Sequence, residues 1–157
     1  MKIHIATDHA GLEFKEVIKN HLAEQGHEVV DHGAYQYNAD DDYPDFIIAA
    51  AEATAADSAA GNDTLGVIFG GSGNGEQIAA NKVKGIRAAL VWNEPTALLA
   101  RQHNDANIIS IGARQHTEAE ALHLIDLFVN EPFSEGERHI RRIGKITAYE
   151  NGKSKEE

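Results

Sequence analysis

LGVIFGGSGNGEQIAANK, residues 65–82, joins a short apolar run to a glycine-rich turn and then to a helical pattern. Leu65–Phe69 reads as a strand buried on both faces, and EQIAANK reads as the helix that the glycines open. Similar units flank it. Ile3–Ala6 reads as a strand, after which Phe14, Val17, Ile18 and Leu22 recur at helical spacing up to a stop at Gly26. Glu28–Val30 is a second strand. The stretch from Asp40 through Pro44 places acids and a proline where a helix begins. Ile86–Trp92 and Asn107–Ile111 are two more strands, with a helix over Glu94–His103 between them. Thr117 and Glu120 form a capping box that opens another helix, with Leu122, Ile125, Phe128 and Val129 inward. A final helix over about residues 134–150 has no strand after it. Strands alternating with helices predict an α/β fold, an open, doubly wound, five-stranded parallel sheet. Ligands in such sheets bind beyond the carboxyl ends of the strands, where the strand order reverses. That singles out Thr7–His9, Gly70–Glu76, Trp92–Asn93 and Gly112–Arg114. The C-terminal helix is expected to reach a partner subunit.

The 157 residues suit one domain over 1–157, large enough to bury a core. Cysteine is absent, so neither a disulfide framework nor a thiol base is available. The longest apolar run, Phe46–Ala51, is far short of the roughly 20 residues of a membrane span. No signal-peptide core is present after the start, and a cytoplasmic protein is expected. Fourteen Lys and Arg against 25 Asp and Glu give a net charge of −11, which argues against nucleic acid as partner. Against that background RHIRRIGK, residues 138–145, gathers four cations without an acid, as a site for one small anion would.

The glycine turn fits neither common phosphate fingerprint. A dinucleotide motif counted from Gly71 needs glycine at 76, and a P-loop from Gly70 needs lysine there; both find Glu76. Four glycines allow positive φ and leave backbone N–H groups uncovered, which together with a helix start makes an anion cradle. A carboxylate there would repel a bound phosphate, yet it is well placed to abstract a proton beside an oxyanion-stabilising loop. It would equally complement the helix dipole. Arg138 and Arg142, four apart on a helix, offer two guanidiniums on one face with His139 adjoining and Arg141 turned away. They fit a phosphate dianion or a solvated helix face. Arg114 is an anion ligand or a surface ion-pair partner. Nine histidines lack metal-ligand spacing, and no metal or cofactor is expected. His9 and Asp8 form a charged pair directly after a strand, and His103 ends a helix, where the dipole favours a cation.

Five separated segments, ATDHAG (6–11), ADDDYPDF (39–46), GGSGNGEQIAANK (70–82), RQHNDANIISIGAR (101–114) and RHIRRI (138–143), resemble the ribose-5-phosphate isomerase B family, in the group that includes galactose-6-phosphate isomerase subunits. The resemblance covers about Lys2–Tyr149. It implies a Rossmann-like sheet, a homodimer or dimer of dimers, and metal-free interconversion of an aldose and a ketose phosphate through a cis-enediolate. Many members use a cysteine of the glycine loop as base. Gly70 stands at that place here, and the chain is similar to the actinobacterial subgroup whose base is a glutamate, here Glu76. By the same resemblance His103, assisted by Asp8, opens the sugar ring. Ser72 and the backbone amides of Gly71, Gly73, Asn74 and Gly75 stabilise the enediolate. His9, Arg114, Arg138 and Arg142 hold the phosphate, and Asn104 meets a sugar hydroxyl. His103, Asn104 and Arg114 are expected from the chain opposite the glycine loop. Ribose 5-phosphate is the substrate this implies. A six-carbon sugar phosphate (allose or galactose 6-phosphate) is the alternative, and a nonenzymatic anion-binding module is a more distant one.

Overall fold

Strands and helices alternate along the chain as the apolar runs require. The computed structural model describes residues 1–153, so the last four residues of the acidic tail lie outside the described residues. The order is β1 (Lys2–Thr7), a 3-10 turn at His9–Gly11, α1 (Leu12–Glu24), β2 (Glu28–Asp31), α2 (Tyr43–Ala59), β3 (Thr64–Gly70) and α3 (Asn74–Asn81). Then come β4 (Ala88–Leu90), α4 (Glu94–Asn104), β5 (Ile108–Gly112), α5 (Glu118–Asn130) and α6 (Glu137–Glu150). All strand pairs are parallel, in the order β2-β1-β3-β5-β4. The chain moves outward from β1 to β2 and returns to the other side at β3, so the order reverses between β1 and β3.

Side-chain alternation on the central strands builds a core on each face. Ile3, Ile5, Val67, Phe69, Ile109 and Ile111 meet α1, α4 and α5, whereas Ala6, Ile68 and Ile108 meet α2 and α3. The sheet is therefore doubly wound. Strand β4 is shorter than the apolar stretch 86–92 suggests. It lies at the edge, and the N–H of Arg87 is taken by the Asn107 side chain at 2.8 Å. The Thr117–Glu120 capping box is present, as is Pro44 in the first turn of α2.

The buried face of α1 departs from the apolar count. Lys15 is 1% exposed beside Ile18 and Leu22. Its ammonium donates to Asp31 Oδ1 at 2.9 Å and to the Ala34 carbonyl. The segment it holds pairs with the end of β1, Thr7 N donating to Gly33 O and Ala34 N to Thr7 O. A buried lysine paired in this way fixes the strand end from which Asp8 and His9 project.

Candidate active site

The reversal point between β1 and β3 is where the carboxyl ends of both strands open toward one crevice. Asp8 and His9 come directly after β1, and the glycine turn directly after β3. The turn after β5 joins them, with Ala113 N donating to Gly70 O and Arg114 N to Gly71 O. Arg114 is thereby held beside the glycine turn of its own chain, its guanidinium over Gly71. This corrects the expectation that Arg114 comes from the opposite chain along with His103 and Asn104. Register decides it: β5 runs parallel to β3 with Gly70 opposite Gly112, so the turns leaving the two strands lie side by side.

Glu76 sits in the first turn of α3 and is 4% exposed. Its carboxylate lies against the α-carbon of Gly70. A β-carbon at position 70 would overlap Glu76 Oε1 and lie 2.9 Å from Oε2. A β-carbon at position 75 would meet the hydroxyl of Tyr43 at 2.6 Å. These two glycines are there for space, and among the four glycines of this turn only Gly73, at φ 81°, uses the left-handed region. Ser72 Oγ accepts from Asn74 N at 3.2 Å, which leaves its own hydrogen free to donate.

Burial raises the Glu76 pKa above the usual carboxylate range. Its own backbone N–H opposes the rise, and the nearby charge of Asp8 adds to it. A carboxyl whose pKa is higher folded than unfolded binds a proton in the native state that the unfolded chain has already released. Stability then falls as pH rises from about 4.5 through the folded value. Replacing Glu76 by glutamine should therefore raise Tm at pH 7.5 by roughly 2–4 °C. That advantage should narrow in melts at pH 4.5.

Asp8 is 9% exposed and caps the 3-10 turn by accepting from Ala10 N at 2.9 Å. His9 Nδ1 donates to Asp41 Oδ1 at 2.6 Å, and its pKa is raised chiefly by that hydrogen bond. Asp8, His9 and Asp41 form the one group among the described residues whose donor atoms are close enough for a metal ion. His9 and Asp41 are already committed to each other.

The remaining candidates lie elsewhere. His103 ends α4, and its ring stacks on His139 of α6 at 4.2 Å between centroids and 16° between planes. His139 is buried and held below the usual histidine pKa by burial, with His103, Arg138 and Arg142 adding repulsion. Arg138 and Arg142 are exposed. Among the described residues neither forms an ion pair with a carboxylate. Asn104 is exposed, and its carbonyl accepts from Arg87 Nε at 2.8 Å. This group precedes β5, whereas the glycine turn lies level with the end of β5. Five residues of strand put roughly 16 Å between those levels.

One chain thus carries two clusters at opposite ends of its strands. The first holds Asp8, His9, the glycine turn, Glu76 and Arg114; the second holds His103, Asn104, Arg138 and Arg142. Sequence patterns do not single out Asp41, Tyr43 or His139 as functional. Asp41 and Tyr43 sit in plain view in the ADDDYPDF segment but read there as a helix start.

A family model described as Ribose/Galactose Isomerase matches residues 3–146. Ribose-5-phosphate isomerase B of Mycolicibacterium paratuberculosis is 55% identical over 150 residues, covering 96% of this chain and 92% of that protein. The Mycobacterium tuberculosis protein of the same name is also 55% identical, covering 96% and 90%. The crystal structure of Mycoplasma genitalium ribose-5-phosphate isomerase B with bound ribulose-5-phosphate aligns with a TM-score of 0.90 at 44% identity, covering 96% of each chain. With the family match spanning nearly the whole sheet and both clusters, the chain belongs to the ribose/galactose isomerase family.

Proposed function

We propose that this chain interconverts ribose 5-phosphate and ribulose 5-phosphate, with Glu76 as the proton-transferring base. The observation that carries the reading is the Glu76 carboxylate, buried against Gly70 beside a turn of uncovered N–H groups at the sheet's reversal point. The relatives at 55% identity that bear this activity in their names support the substrate, as does the ribulose-5-phosphate bound to the Mycoplasma genitalium protein. The chemistry open to such a site is direct. Glu76 takes the proton from C2 of the open-chain aldose, and the electron pair moves through C1 onto O1. The Ser72 hydroxyl and the amides of Gly71, Gly73, Asn74 and Gly75 hold the resulting enediolate. Protonated Glu76 then returns its proton to C1 while O2 becomes the ketone carbonyl and its hydrogen passes to O1. No cofactor enters the balance.

His103, assisted by Asp8, opens the furanose ring before this step, and Asn104 holds a sugar hydroxyl. His9, Arg114, Arg138 and Arg142 take the phosphate. Since the two clusters lie at opposite ends of one chain's strands, the second must come from another copy. A homodimer, or a dimer of dimers, brings α6 and the end of α4 of one chain to the glycine turn of the other. Exposed Ile140, Ile146 and Tyr149 on α6, with Leu99 on α4 and Ile78 on α3, provide apolar surface for such a pairing.

Kinetics on ribose 5-phosphate beside allose 6-phosphate test the substrate; a large hexose preference would transfer the reading to a six-carbon sugar phosphate. Replacing His103 by alanine should lower turnover of ribose 5-phosphate by roughly 10²-fold. Turnover of a four-carbon aldose 4-phosphate, which has no free hydroxyl for ring closure, should be nearly unchanged. An equal loss on both would assign His103 a role other than ring opening.

A further inference from the structure

We infer that Asp41 is a positioning residue for the isomerase reaction, holding His9 as a two-donor imidazolium that meets the substrate phosphate through Nε2. The inference rests on the proposed phosphate role of His9.

The geometry sets Asp41 apart from its neighbours. Asp40 and Asp42 are exposed, whereas the Asp41 side chain is only 7% exposed. The turn that presents it is fixed by Asn38, whose side chain accepts from Asp40 N at 3.0 Å and whose carbonyl accepts from Asp41 N at 3.1 Å. Oδ1 of Asp41 accepts from the His9 ring at 2.6 Å and faces the His9 backbone N–H at 3.4 Å. Oδ2 is buried with no partner among the described residues. Burying a carboxylate with one oxygen unpaired is costly, and a merely structural ion pair would not need that burial.

Chemistry explains what the burial achieves. A neutral imidazole that donates through Nδ1 presents Nε2 as an acceptor, whose lone pair opposes a phosphate oxygen. Only the protonated ring donates from both nitrogens. The groups facing His9 come from three segments: Asp8 from its own turn, Asp41 and the Tyr37 ring, nearly perpendicular to it, from the segment before α2, and Arg114 from the turn after β5. Asp41 and Asp8 favour the protonated ring, while Arg114 and burial oppose it. Arg114 is itself a phosphate ligand in the proposed site, so a second cation beside it needs a countercharge until substrate arrives. Asp41 supplies that countercharge from the side away from the phosphate.

The test compares the full-length enzyme with D41N, H9Q and the double variant. Asparagine keeps the shape and removes the charge. D41N should raise KM for ribose 5-phosphate roughly tenfold at pH 8 and far less at pH 6, with kcat changed less than about threefold. Ionisation of the sugar phosphate itself is common to all the enzymes and cancels in the ratio. In H9Q, adding D41N should raise KM no further. The NMR titration midpoint of His9, assigned by the resonance missing in H9Q, should fall in D41N. A KM increase equal at both pH values, an added loss in the H9Q background, or an unchanged midpoint would each overturn the inference. If the unaltered enzyme fails to turn over ribose 5-phosphate, the proposed function fails instead. The pair is then read with inorganic phosphate, whose binding at pH 8 should weaken in D41N as the His9 midpoint falls; unchanged binding and midpoint overturn it.

Discussion

Replacing Glu76 by glutamine should lower kcat for ribose 5-phosphate by about 10³-fold while KM stays within about threefold of its original value. The amide keeps the length and shape of the side chain, so the cradle of Gly71–Gly75 and the phosphate ligands are undisturbed. On the proposed reading, what it loses is the ability to take the C2 proton. Residual turnover should survive, because the donors of the glycine turn still stabilise an enediolate formed with water as base. The same substitution should change the pH profile. Burial and the charge of Asp8 hold the Glu76 pKa above 4.5, so the unaltered enzyme loses its active carboxylate form as pH falls through that raised value. Its kcat should decline on the acid side, and the variant should lack that limb. Near-normal turnover of the glutamine enzyme in a steady-state assay would remove Glu76 as the base.

Mixing two inactive enzymes should restore activity. Glu76→Gln impairs the cluster at the glycine turn, and a chain carrying R138A and R142A impairs the other. If each site takes one cluster from each of two chains, a mixed dimer contains one site with both clusters intact and one with neither. Random reassortment makes about half of the dimers mixed, so roughly a quarter of the original sites return. Against parents reduced to about 1% or less at substrate levels below KM, the gain is some tens-fold. Unfolding and refolding the chains together, then assaying alongside each parent treated alone, measures it. Activity no greater than the parents' mean would place the complete site within one chain.

Much of this arrangement is legible in the residues, and the exceptions have physical reasons. The central strands announce themselves because they are covered on both faces, which turns Val67–Phe69 and Ile108–Ile111 into nearly unbroken apolar runs. The edge strand β4 is overread because an apolar stretch shows burial and not pairing, and the Asn107 side chain takes the N–H before the strand begins. Glu76 is legible because a carboxylate conflicts with both phosphate fingerprints at its position. The family resemblance misplaces Arg114, although the carboxyl-end rule groups it with the glycine turn; the parallel register of β3 and β5 settles its place. Asp41 is hidden among three consecutive aspartates of equal local value. Only the tertiary path of the segment before α2 turns one of them inward and leaves the others in water. His139 reads as the neighbour of two arginines, and nothing in its spacing could announce a stack with His103, 36 positions earlier.

The contact between Glu76 and the α-carbon of Gly70 also bears on how such enzymes can change by mutation. The family resemblance places a cysteine base at position 70 in many members, whereas here the carboxylate of residue 76 occupies the volume that any side chain at 70 would need. A single substitution that adds the thiol pushes the Glu76 carboxylate out of that volume, and on the proposed reading one that removes the carboxylate leaves glycine with no base. A thiol at position 70 and the carboxylate of residue 76 thus compete for one volume and cannot both occupy it. The effect of a substitution at position 70 should therefore depend on the residue at 76, a pairwise epistasis that comes from one steric overlap.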